Sequence, residues 1–261
     1  MRSEFLRVDL APAATWAVFR RHLVVFRRNW KVNLTFNFIE PLLYLTALGM
    51  GLGAYVQRIE GMSYLQFLAP GLIASSAMFA TTYENTYGTF IRMEYQKTFQ
   101  AMVATPVGMD DVTVGEILYG TFKSVLYGTV ILLVIFLLGL VQSPWALLVP
   151  PVLAAAGLLF GILAMVWVGL VPNIDNFNYF WSLVITPLFL FSGVFFPLTD
   201  LPPAVQALAW ASPLYHVVNL TRGLVLGQVG PHLAGDFAWL LLVAVVLTPL
   251  PLYLMRRLVV R

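Results

Sequence analysis

From residue 34 onward the chain alternates long apolar runs with short polar breaks. Six runs stand out, at about 34–56, 64–91, 116–141, 145–171, 177–197 and 237–254. Each is long enough to cross a hydrocarbon core of about 30 Å as a helix. A helix keeps its backbone N–H and C=O groups paired where no water is present to pair them. Strands of a membrane barrel would alternate in polarity over about 10 residues, and these runs do not. The pattern predicts an all-α membrane protein with six transmembrane helices.

Residues 12–31 follow a different period. Trp16, Phe19, Leu23, Phe26 and Trp30 recur at 3-4-3-4 spacing and form one stripe on a helix, with Arg20, Arg21, Arg27, Arg28 and Lys31 on the neighbouring face. A basic, tryptophan-bearing amphipathic helix of this kind lies along the membrane interface, as a simple anchor or as a docking surface for a partner. Residues 1–33 therefore read as an N-terminal cytoplasmic segment and 34–261 as one transmembrane domain. Residues 1–33 have no long apolar core ahead of a small-residue cleavage site, so no cleaved signal peptide is expected. Residues 198–236 are too broken for a span and too apolar for an ordinary loop. Pro202, Pro203 and Pro213 punctuate two short helical patterns, about 203–211 and 214–226. They fit re-entrant helices that dip into the outer leaflet, or a small cap that stays outside it.

Composition agrees with the pattern. The chain is 60% hydrophobic and 10% charged, against roughly 45–50% and about 25% in soluble domains. Basic residues set the orientation. The N-terminal segment holds Arg2, Arg7, Arg20, Arg21, Arg27, Arg28 and Lys31; the connection between the second and third runs holds Arg92 and Lys97; the C-terminus holds Arg256, Arg257 and Arg261. With six spans these share one side, which makes both termini cytoplasmic in a bacterial inner membrane. The other side receives Arg58 and Arg222. Without cysteine, disulfide and thiol chemistry are excluded for this chain.

Four ionisable residues fall in or beside the runs: Glu40, Glu84, Glu116 and Lys123. Such groups are expensive in lipid and are candidates for gating. Placed near the cytoplasmic ends of their spans, they also suit helix-end pairing at headgroup level, with Lys123 snorkelling outward. No carboxylate falls in the middle of a run, which argues against proton-coupled transport. The polar stretch 92–106 is the most informative connection. Tyr95, Phe99 and Met102 share a helical face, bordered by Glu94, Lys97 and Thr98, and Pro106 closes the pattern. An exposed aromatic ridge suits a groove in a partner protein; the same helix also suits lipid headgroups. No G-x-x-x-x-G-K-[ST] loop for nucleotide phosphates occurs, nor H-E-x-x-H or G-x-S-x-G. His22, His216 and His232 are scattered and do not make a metal cluster.

Taken in order, several short pieces resemble the ABC-2 type permeases, in the branch of NodJ-like and daunorubicin-exporter-like proteins. They are Glu40-Pro41-Leu42-Leu43-Tyr44-Leu45, Phe67-Leu68-Ala69-Pro70-Gly71-Leu72, Tyr83-Glu84-Asn85-Thr86-Tyr87-Gly88-Thr89-Phe90 with Arg92-Met93, Thr105-Pro106, Gly115-Glu116, Ser182-Leu183-Val184-Ile185-Thr186-Pro187, Ser192-Gly193-Val194-Phe195-Phe196-Pro197 and Pro213-Leu214-Tyr215-His216. The resemblance implies a non-catalytic permease subunit of an ATP-driven exporter. It implies two such chains paired above two separate ATPase subunits, which would bind the ATP and Mg; this chain would bind no cofactor. It makes the stretch around Tyr95–Met102 a coupling helix and the N-terminal helix an interface helix, with a smaller ATPase contact near 172–176. The path would run between the permeases, with Tyr44, Tyr83, Tyr87, Phe189, Phe191 and Phe195 as candidate lining. The cargo would be a lipo-oligosaccharide, glycolipid, polysaccharide or drug. A stand-alone ion- or proton-coupled transporter and an intramembrane lipid enzyme are the competing readings.

Overall fold

The computed structural model describes the backbone of residues 8–56, 58, 59 and 61–259, and the side chains of all of these except 32–38, 40 and 259. Glu40 and the basic residues Arg2, Arg7 and Arg261 therefore lie outside the described side chains. Helix dominates the described residues.

Helix α1 (Pro12–Tyr55) starts with proline in its first turn, where no backbone donor is lost. Its backbone leaves helical geometry at Asn29 (φ −117°, ψ 16°). The expected interface helix and first run are thus two arms of one element, hinged two residues inside the expected amphipathic segment. Helix α2 (Tyr64–Tyr83) is capped by Ser63 and Gln66, whose side chains reciprocally bond each other's backbone N–H. It continues through two π turns, Glu84–Gly88 and Ile91–Tyr95. Lys97, with φ 53°, ends it, and the short α3 (Thr98–Val103) follows.

Helix α4 (Met109–Leu137) has Asp110 and Asp111 in its first turn, where carboxylates complement the helix dipole. A 3-10 turn (Pro144–Leu148) leads into α5 (Val149–Leu170). Helices α6 (Phe177–Phe180) and α7 (Thr186–Phe191) are joined by a π turn (Trp181–Ile185). Then come α8 (Pro203–Trp210), α9 (Pro213–Leu226), α10 (Pro231–Leu247) and α11 (Pro249–Val259). The two short patterns expected after residue 198 are thus α8 and α9.

Four helical stretches are long and apolar enough to cross a membrane: Tyr64–Tyr95, Met109–Leu137, Pro144–Leu170 and Pro231–Leu258. Two of the six expected spans are not among them. Around the first, the described apolar helix is Pro41–Tyr55. Around the fifth, helical geometry stops at Phe191, about 22 Å after Phe177 at the usual rise. The third and sixth also start earlier than expected, at Met109 and Pro231.

Helix α2 is the central element. In its most apolar window 83% of residues are buried, against 22% in Pro231–Leu258, so the latter presents most of its surface outward. Helices α2, α4 and α5 pack together. Thr81 Oγ1 donates to the Gly120 carbonyl (2.7 Å) and Ser124 Oγ to that of Leu153 (2.9 Å). Gly157 lies so close to α4 that a Cβ there would meet Thr121 Cα and Ser124 Cβ at 2.8 Å, the close approach that small residues permit in membranes. Near α3, Arg256 of α11 pairs bidentately with Asp110, whose carboxylate also accepts from the Asp9 N–H. The N-terminal arm, the α3–α4 connection and the last helix therefore meet at one end of the molecule.

Candidate functional site

A network of charged side chains lies inside this bundle. The π turns of α2 add a residue per turn and rotate the chain beyond them; such bulges often mark functional sites. Here they allow Arg92 to reach back to Glu84, eight positions earlier, and across to α4. Arg92 Nη1 donates to Glu84 Oε1 (2.6 Å), while Nη2 and Nε donate to Glu116 Oε2 (2.5 and 3.1 Å). The other Glu84 oxygen accepts from Lys123 Nζ of α4. Thr89 Oγ1 donates to Glu116 Oε2 (3.0 Å).

From α1, His22 Nε2 lies 3.0 Å from Glu116 Oε1, and its ring stacks on Tyr119 with centroids 4.6 Å apart. Glu116 is fully buried, and His22, Glu84 and Lys123 are buried as well. Two carboxylates face two fixed cations, so the four cancel, with the imidazole as a fifth member. Ion pairs without water depend strongly on each partner, because removing one leaves a buried charge uncompensated.

The network ties three long helices to a short one. Glu116 holds groups from α1 and α2, and Glu84 joins α2 to α4. Thr98 Oγ1 of α3 donates to the Arg92 carbonyl (2.8 Å), and Phe99 of α3 is fully buried in the core. A continuous chain of contacts thus runs from α3 to Arg92 and through it to both carboxylates. Beside the network, Asn85 is fully buried and neither side-chain polar atom has a hydrogen-bond partner among the described residues. A Cβ at Gly120 would lie 2.0 Å from Asn85 Oδ1, so glycine is what lets this amide sit between α2 and α4.

This arrangement corrects several expectations. Glu116 and Lys123 do not sit at a helix end, and the Lys123 ammonium turns inward to Glu84. Because α4 begins at Met109, they lie about two and four turns inside it. Glu84 lies nearer the Tyr95 end of Tyr64–Tyr95 than its start and is buried in the bundle. Glu40 lies outside the described side chains.

Tyr95, Phe99 and Met102 do not form one ridge. The left-handed residue Lys97 separates Tyr95 from α3. Tyr95 is 66% exposed, Phe99 is buried and Met102 is half-buried. Glu94 and Lys97 pair with each other at 3.0 Å. On α1, the positions buried against α4 are Thr15, Val18 and His22, and only part of the aromatic stripe joins them. Trp16, Trp30, Arg20 and Arg27 are exposed. Leu23 is half-buried, and Phe19 and Phe26 rest edge-on against Phe122.

The candidate pathway residues belong to a longer aromatic ladder between α2 and the α6–α7 segment. Ring contacts run from Phe90 through Phe177, Tyr87, Tyr83 and Trp181 to Phe79. They continue to Phe189 and Phe195, with Tyr44 of α1 touching both. Phe191 is exposed and takes no part in these contacts.

Arg92, His22, Thr89, Phe79 and Trp181 were not singled out from the sequence. Two signals were present. Glu116, Tyr119 and Lys123 share the 3-4 spacing of one helical face, and so do Phe79, Tyr83, Tyr87 and Phe90. At the opposite end, His216 Nδ1 lies 2.6 Å from Asp236 of α10, and Nε2 donates to the Trp210 carbonyl at the end of α8 (2.8 Å).

The profile of the ABC-2 type transporter family matches residues 13–226. Nodulation protein J of Rhizobium meliloti (strain 1021) is 38% identical, over 97% of each chain. Nodulation protein J of Rhizobium leguminosarum bv. viciae is 41% identical, over 84% of this chain and 85% of the relative. The inner membrane transport permease YadH of Escherichia coli (strain K12) is 26% identical, over 78% of this chain and 79% of the relative.

Proposed function

The chain belongs to the ABC-2 type transporter family, and from that premise we propose that it is the permease of an exporter driven by separate ATPase subunits. In this reading two copies pair above two ATPases that bind the ATP and Mg, and six spans leave both termini in the cytoplasm of a bacterial inner membrane. The basic residues near α3, in the N-terminal arm and on α11 support that orientation. The cargo is amphipathic, of the glycolipid, lipo-oligosaccharide, polysaccharide or drug kind, and passes along the aromatic ladder.

The observation that carries the reading is the link from Thr98 through Arg92 to Glu84 and Glu116. It gives a motion delivered at α3 a stiff route into α1, α2 and α4. Tyr95, exposed beside α3, is the contact offered to the ATPase. Co-purification with the ATPase and measurement of substrate-stimulated hydrolysis test the reading. A Thr98→Val, Arg92→Met, Glu116→Met variant that assembles with the ATPase should lose stimulation and keep basal hydrolysis; retained stimulation would exclude α3 as the input.

The buried carboxylates Glu84 and Glu116 call for weighing proton-coupled transport. Their pairing with Arg92 and Lys123 weighs against it, because a proton carrier needs an oxygen not already held by a fixed cation. Transport by the purified chain without an ATPase would favour that reading instead.

A further inference from the structure

At the end of the molecule opposite α3, a cleft of about 260 Å³ opens beside α9. Tyr215, Asn219 and Arg222 face it at i, i+4 and i+7 of that helix, and Gln228, His232 and Thr199 complete its polar side. Among the described residues no carboxylate and no lysine lines it. The side chains of Asn219, Gln228 and His232 make no hydrogen bond among the described residues, so their donors and acceptors are unspent. Arg222 is committed to the frame: its Nη2 donates to the carbonyls of Gly193 (2.7 Å) and Phe67 (3.2 Å), and its guanidinium lies 3.9 Å above the Phe67 ring. Pro197 and Leu198 supply an apolar wall.

The lining selects among ligand classes. Carboxamide, imidazole, phenol and hydroxyl groups offer both donors and acceptors, and sugar hydroxyls need both. A phosphate asks for donors alone, and a metal cation asks for carboxylates. The apolar wall suits the C–H face of a pyranose. We propose that this cleft is a binding site for one neutral saccharide unit, engaged at the exit end of the permease. The proposal rests on the exporter reading above and narrows its cargo to a sugar-bearing molecule.

The test uses the full chain in phosphatidylcholine nanodiscs, with saturation-transfer NMR and competition binding. The probes are glucose, galactose and maltose, with inorganic phosphate as the contrast. Saturable binding of the neutral sugars is expected, unaffected by phosphate and weakened at least tenfold in Asn219→Leu and in the double variant Gln228→Leu/His232→Leu. Gln228 and His232 are exposed, so the double variant is expected to retain the wild-type unfolding temperature. Nanodiscs carrying a monogalactosyl diacylglycerol distinguish the sources. Occupancy by that lipid, displaced by maltose, assigns the sugar to a glycolipid; binding of the free sugars alone assigns it to a soluble glycan. Absence of saturable sugar binding, binding of phosphate in its place, or binding unchanged in both variants overturns the proposal. An active complex with the ATPase that binds no sugar rejects the cleft alone. A chain that never couples to an ATPase rejects the exporter reading, and sugar binding is measured independently of it.

Discussion

Replacing Glu116 by glutamine keeps the shape of the side chain and removes its charge. In the native protein Glu84 and Glu116 contribute −2 and Arg92 and Lys123 contribute +2. The substitution leaves the buried group at +1, with Arg92 retaining only Glu84 and His22 facing an amide in place of a carboxylate. Breaking one partner of a buried ion pair costs about 3–5 kcal/mol. At roughly 2–4 °C per kcal/mol for a chain of about 250 residues, the unfolding temperature should fall by about 6–20 °C. The assay is thermal unfolding of the full chain in one detergent or nanodisc composition, read by circular dichroism. The pair substitution Arg92→Met/Glu116→Met removes both charges together and leaves Glu84 with Lys123. Apolar replacement of a whole buried pair is often neutral or stabilising, so this variant should unfold within a few degrees of the wild type. A shift below about 2 °C for Glu116→Gln, or a double variant as unstable as the single, would refute the charge-matching argument.

Three further outcomes follow from the packing. Gly120→Ala should destabilise by about 1–3 kcal/mol through its clash with Asn85; Asn85→Ala in the same chain should restore most of the loss, read as unfolding temperature. Phe99→Ala should cost about 3–5 kcal/mol as a core cavity, whereas Tyr95→Glu, at an exposed position, should leave stability unchanged and weaken co-purification with the ATPase. Asp236→Asn removes the charged acceptor beside His216; faster hydrogen exchange confined to α8 and the start of α9 is expected, and unchanged exchange there would deny the contact a role in holding α8.

The sequence by itself determined the solvent, the all-helical class and the family of this protein. Those properties are local or additive. Apolar runs of span length force helices in lipid, Pro203 and Pro213 start α8 and α9 where proline is best tolerated, and the ordered short motifs survive without coordinates. The basic residues at the α3 end were legible for the same reason, since they report composition rather than contact. The tertiary structure decided the site. Glu84, Arg92, Glu116, Lys123 and His22 come from three helices, and their meeting depends on two π turns that rotate α2, which no apolar period records. Where α4 starts decided whether Glu116 and Lys123 end a helix or lie within it. The left-handed Lys97 decided that Tyr95 faces outward while Phe99 enters the core. A one-dimensional pattern states which face of a helix is apolar, but only packing states which of its polar groups find each other away from water.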